Sequence, residues 1–139
     1  MRILALDPGE ARCGCAISDP TGTLATPLSA LERPSSRKGL ARLRSLAREL
    51  GAEKVVVGLP LTLRGDEGAQ ARRARDFAER LGEGLDIPVE LHDERFTTRM
   101  AEASGGRADA DSRAAAHLLE GHLAALEHAD GTEHGPGPA

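Results

Sequence analysis

The sequence predicts a single α/β domain: a mixed five-stranded sheet in the order β-β-β-α-β-α-β-α, with helices on both faces. Three observations carry this. The first thirty residues hold three short strand-like runs separated by turn residues, which makes an antiparallel meander. Downstream, apolar residues recur at helical spacing in stretches that alternate with dense β-branched runs. Strands alternating with helices are joined by right-handed crossovers, so the later strands add in parallel and the helices cover the sheet. A chain of 139 residues has room for one core of this kind and not for two.

The first strand is read over Arg2–Leu6 and runs into the turn Asp7-Pro8-Gly9. Cys13–Ser18 forms the second strand, and Asp19-Pro20-Thr21-Gly22 closes a hairpin. Thr23–Leu31 forms the third, placed towards a sheet edge because Pro27 cannot donate to a ladder. Leu40, Leu43, Ala47 and Leu50 then mark a helix between a start at Pro34-Ser35-Ser36 and a stop at Gly51. Lys54–Val57 reads as a strand buried on both faces. Ala71, Ala74, Ala78, Leu81 and Leu85 mark the second helix. Pro88–Leu91 is the fifth strand, and a last helix runs from Asp111 to about His128. The folded unit is thus residues 1–128. Residues 129–139 are rich in Gly, Pro and acids, lack periodicity and are expected to form a disordered tail.

Composition narrows the function. The chain holds only Phe77 and Phe96 as aromatics, with no Tyr or Trp, which argues against reading single strands by base stacking. A net charge of −4 argues against nucleic-acid binding by the whole surface and leaves room for a local basic patch. Cys13 and Cys15 share one strand face and are expected as reduced, packed thiols. No apolar run approaches the length of a membrane span. A cytoplasmic protein with no membrane partner is expected.

Three acids stand where such a fold could bring them together. Asp7 ends the first strand, and open α/β sheets bind ligands beyond the carboxyl ends of their strands. Glu94 follows the fifth strand and emerges at the same edge if that strand is parallel to the first. Strand alternation puts Glu90, His92 and Glu94 on one side and Val89, Leu91 and Asp93 on the other. Asp111 opens the last helix on the stripe of Ala115, Leu118, Leu119, His122 and Leu126, although Asp is also a favoured helix cap. Carboxylates are the oxygen donors that Mg²⁺ and Mn²⁺ choose, and two such ions about 3.5–4 Å apart suit phosphoryl chemistry.

Four blocks resemble a known family. Ile3–Asp19 (ILALDPGEARCGCAISD), Val55–Ala71 (VVVGLPLTLRGDEGAQA), Leu91–Thr98 (LHDERFTT) and Ala110–Leu123 (ADSRAAAHLLEGHL) are similar to the signatures of the YqgF/RuvX family. That family is a branch of the RuvC-like RNase H superfamily, and the blocks occur in its order over nearly the whole chain. The resemblance implies an RNase H-like fold and a metal-dependent nuclease acting in the 5′-end maturation of pre-16S rRNA. Its acidic positions fall on Asp7, Glu94 and Asp111. Structured RNA is the expected partner, with branched DNA as the alternative if the protein is a Holliday junction resolvase. A resolvase cuts two symmetric strands and is expected to be a homodimer. The loop before the last helix, Ser104-Gly105-Gly106-Arg107, is shorter and less basic than is usual in the family.

Other residues are assigned supporting parts. Arg12 and Arg95 are candidates for binding phosphate, Arg95 bidentately. Gly58 permits a close approach at the end of the fourth strand. Gln70 stands at the start of the second helix, whose N-terminus could receive a phosphate. Arg37, Arg44 and Arg48 form a helical stripe, read as a solvated face or as a phosphate track. The second helix pairs Arg72/Asp76, Arg75/Glu79 and Asp76/Arg80 along its own surface. His122 is read as a core histidine. A non-catalytic nucleic-acid-binding factor and an actin-like phosphotransferase are the remaining alternatives, and the latter requires two such domains where this chain has one.

Overall fold

The computed structural model describes residues 1–62, 64–94 and 107–134, with side chains in the last helix described over 113–126. The strands are β1 (Ile3–Pro8), β2 (Arg12–Ser18), β3 (Ala25–Glu32), β4 (Lys54–Pro60) and β5 (Val89–Glu94). The helices are α1 (Arg37–Glu49), α2 (Ala69–Gly82) and α3 (Arg107–His134). All eight predicted elements are present in the predicted order. The sheet runs β3-β2-β1-β4-β5. β1, β2 and β3 pair antiparallel, whereas β4 lies parallel to β1 and β5 parallel to β4.

Side-chain alternation sorts the sheet into two packed layers. Leu4, Leu6, Cys13, Cys15, Ile17, Val55 and Val57 face α1 and α2, where Leu40, Leu43, Phe77 and Leu81 cover them. Ile3, Ala5, Ala16 and Val56 face α3, against Ala115, Leu118 and Leu119. Val55, Val56 and Val57 are all fully buried, as expected of a central strand covered on both sides. Both cysteines are free and buried. Burial pushes the Cys13 thiol well above its ordinary range, and a thiol held protonated is neither nucleophile nor metal ligand.

Several boundaries differ from the sequence expectation. β1, β4 and β5 continue two or three residues past their expected ends, because ladder register does not stop where the dense apolar run does. Asp7 lies opposite Gly14, and Pro60 opposite Glu94. Ser36 caps α1, its Oγ accepting from the Gly39 N–H at 2.9 Å. α3 begins at Arg107 and ends at His134, longer at both ends than expected. Adding residues to an existing helix is much easier than nucleating one. Asp111 therefore lies inside the helix and does not cap it.

The basic stripe of α1 has a structural occupation. Arg44 donates through Nε to the Leu81 carbonyl at 3.2 Å and through a terminal nitrogen to the Arg80 carbonyl at 2.5 Å. Arg48 donates to the Gly84 carbonyl at 2.7 Å. Both guanidinium groups thus close the C-terminal end of α2, satisfying carbonyls there and countering the negative end of its dipole.

Candidate functional site

Alternation on β1 places Ile3, Ala5 and Asp7 on the α3 side of the sheet. Ile3 and Ala5 are buried there, and Asp7 is the next residue on that side, where the strand reaches the edge. On β4 the same face carries Val56 and then Gly58. On β5 it carries Glu90, His92 and Glu94, since these pair with Val56, Gly58 and Pro60. Asp93 is exposed, while Glu94 is buried at 6% exposure.

Gly58 sits between the two acidic strands, and its missing side chain decides the geometry. A Cβ at this position would overlap the Glu94 Oε2 atom and lie 3.2 Å from its Cδ and 3.3 Å from Leu118 Cδ2. The Glu94 side chain therefore folds back across β4, through the space that Gly58 leaves. The predicted close approach at Gly58 is real, but what approaches is a carboxylate.

The result is a cleft of about 440 Å³ at the carboxyl ends of β1, β4 and β5, lined by Asp7, Glu10, Gln70, Arg73 and Glu94 among others. Gln70, Arg73, Ala74 and Phe77 all line it, which is one stripe of α2 at i, i+3, i+4 and i+7. Three acids face one base, so the cleft carries excess negative charge and attracts cations. The donors offered are carboxylate oxygens, the hard ligands of Mg²⁺ and Mn²⁺. The thiols of Cys13 and Cys15 are on the other face of the sheet. The residues present thus fit a hard divalent cation.

Of the three predicted acids, Asp7 and Glu94 come together at this cleft. Asp111 lies in α3, one turn ahead of the buried Ala115, and its side chain lies outside the described residues. Among the described residues no group of three or more His, Cys, Asp or Glu is arranged to hold a metal. Arg12 opens β2, paired with Glu32 of β3, and is not among the residues lining the cleft. Arg95 lies outside the described residues. Gln70 lines the cleft from the first turn of α2.

Two features were not anticipated. Arg73 lines the cleft and forms an ion pair with Glu10, at the tip of the β1–β2 turn. Its neighbour Arg75 pairs with Glu67 at 2.6 Å, where pairing along the helix was expected. The stripe Gln70/Arg73/Phe77 was the available signal, but only the packing of α2 on β4 shows that it faces the acids. Further along the α3 face, His122 and His92 approach to 3.4 Å between Nδ1 atoms with their rings at 84°. Burial, with Lys54 and His92 nearby, lowers the His122 pKa to about 4, with Glu90 opposing. His122 is thus a neutral core histidine, as expected, with a second histidine as its partner.

A family model described as "RuvX: Holliday junction resolvase" matches residues 1–125. A protein of Syntrophomonas wolfei named "Putative pre-16S rRNA nuclease" is 41% identical over 132 residues, covering 88% of this chain and 94% of that protein. One of the same name from Anaeromyxobacter sp. is 42% identical over 132 residues, covering 88% and 96%. Among solved structures, T. thermophilus RuvC in complex with a Holliday junction substrate superposes with a TM-score of 0.59 at 17% identity, covering 91% of this chain and 96% of that one. The Fowlpox virus resolvase with junction DNA superposes with a TM-score of 0.58 at 10% identity, covering 91% and 99%. The fold is accordingly the RNase H-like fold of these resolvases.

Proposed function

The chain belongs to the RuvX family, and from that premise we propose that it is a divalent-metal-dependent nuclease hydrolysing phosphodiester bonds in structured RNA, in the 5′-end maturation of pre-16S rRNA in the cytoplasm. The observation that supports it most is the convergence of Asp7 and Glu94, from strands separated by β4, over the gap at Gly58. A plain packing role at this buried position would be better served by an apolar residue than by a carboxylate.

In this reading Asp7, Glu94 and Asp111 hold two Mg²⁺ or Mn²⁺ ions. Bound there, the ions would activate water and offset charge on the leaving oxygen. Gln70 donates to a phosphate oxygen of the substrate at the first turn of α2. Arg12 and Arg95 are assigned to substrate phosphates. Gly58 keeps open the space through which Glu94 reaches the cleft. The catalytic unit is residues 1–128, in keeping with a family match over 1–125, and residues 129–139 are dispensable to it.

The family description supports a second reading, resolution of four-way DNA junctions by a two-fold dimer. Cleavage of a ribosomal precursor fragment, a four-way junction and plain single strands, each with Mg²⁺ and Mn²⁺, separates the two. Cutting of the precursor at its 5′ region by a monomer supports the first reading. Paired symmetric cuts in the junction by a dimer support the second, and no cutting of any substrate with either ion defeats both.

A further inference from the structure

Arg73 and Glu10 are 63 residues apart in sequence, on opposite lips of the cleft, and their side chains meet across its mouth. Arg73 is the one cation among the described residues lining that cleft, against Asp7, Glu10 and Glu94. At the mouth, away from Asp7 and Glu94, the entering backbone meets the Glu10 carboxylate, and a guanidinium there matches phosphate oxygens in a planar fork. The side chains are 57% and 81% exposed, so their pairing contributes little to stability and is readily exchanged. The neighbouring pair behaves differently. Arg75 holds Glu67 through two hydrogen bonds of 2.7 and 2.6 Å, eight residues away and outside the cleft, fastening the preceding loop to the helix.

We propose that Arg73 is a phosphate-binding residue of the cleft and that Glu10 holds its guanidinium until a nucleic-acid phosphate displaces the carboxylate. This rests on the nuclease reading above and adds to it the residue that receives the substrate backbone, together with an acid that competes with it. Glu10 stands at the tip of a turn tightened by the Gly9 N–H to Arg12 carbonyl bond of 2.8 Å. A Cβ on Gly9 would come to 3.0 Å from that carbonyl. The competing carboxylate is therefore presented from a hydrogen-bonded turn, and in the proposal it is the guanidinium that changes partner.

The test is binding of a fluorescein-labelled precursor RNA hairpin, and separately of a four-way DNA junction, with Ca²⁺ present and the RNA checked for integrity afterwards. Arg73→Gln is expected to weaken binding about tenfold and to reduce the log–log salt slope by about 0.7–0.9, one phosphate contact. Arg73→Lys should retain most of the affinity. Arg72→Gln makes the same charge change one residue away, at an exposed position outside the cleft, and should alter binding less than about twofold. Glu10→Gln should tighten binding about threefold in the wild-type chain and have at most half that effect in the Arg73→Gln background. Equal effects of Arg72→Gln and Arg73→Gln, or a Glu10→Gln gain that persists without Arg73, would overturn the proposal. A wild-type chain that binds neither nucleic acid removes the nuclease reading itself, a distinct result from a chain that binds but ignores Arg73.

Discussion

The two faces of the sheet are built by different rules. On the side of α1 and α2, apolar residues run to the ends of β1 and β4, and even the arginines serve packing: Arg44 and Arg48 close the end of α2. On the side of α3, the apolar rows of β1 and β4 stop short of the carboxyl edge. Ala5 gives way to Asp7 and Val56 to Gly58, while β5 presents Glu90, His92 and Glu94 in succession. A face that must bury itself against a helix gains nothing from a carboxylate beside a glycine. The contrast shows where packing has been set aside, at the carboxyl edge of the sheet, and there the cleft opens with α2 as its helical wall.

The sharpest way to break this contrast is Gly58→Ala. The added methyl overlaps the end of a flexible side chain, so Glu94 can move aside and the fold should lose about 1–3 kcal/mol and remain folded. Cleavage should nevertheless fall about 100-fold or more, since a misplaced catalytic group can cost that much. Thermal melting and turnover measured on one preparation separate the two, and a variant with unimpaired turnover would show that Glu94 need not cross β4.

A comparison of neighbours is next in size. Glu94→Gln should abolish metal-dependent cleavage, whereas Asp93→Asn, at an exposed position on the opposite side of β5, should lose far less. The reverse ranking at saturating metal would place the wrong side of β5 in the site.

On the packed face the expected loss is in stability alone. Arg44→Ala should cost about 1–2 kcal/mol, the worth of its two charged hydrogen bonds after allowance for partial exposure. Neutralising Arg37, Arg44 and Arg48 together should leave the salt dependence of RNA binding unchanged. A slope reduced by nearly 3 would restore the phosphate track.

The smallest effect concerns His122, among His92 and Glu90 of β5 and Lys54 of β4. Its folded pKa, about 4, lies below the ordinary histidine value of 6.5. Between these two values the unfolded chain binds the extra proton, so stability is present above pH 6.5 and declines as pH falls towards 4. His122→Gln should flatten that decline in denaturant melts, and an unchanged pH profile would mean that other groups govern it.

Much of this was legible in the residues. Period-two alternation assigned Glu94 to one side of its strand, the end of an apolar run marked Asp7, and helical spacing located all three helices. Strand ends were less legible, because ladder register carries β4 through Gly58-Leu59-Pro60, which reads as a turn, and β5 through the charged pair Asp93-Glu94. The roles of the arginines were not legible at all. The carbonyls that Arg44 and Arg48 bind lie 36 or 37 residues away, and the lip that Arg73 faces lies 63 residues away. Local pattern identifies a charged stripe and is silent about what meets it in space.

The central claim is that Asp7 and Glu94 together hold the ions that cleave. Mn²⁺ titration calorimetry on wild type and Asp7→Asn, with cleavage of the precursor RNA followed in the same samples, tests it most directly. The variant should melt as the wild type does, bind the ion at least about tenfold more weakly and cleave nothing detectable. A well-folded Asp7→Asn protein with wild-type ion affinity and near-normal turnover would contradict the account.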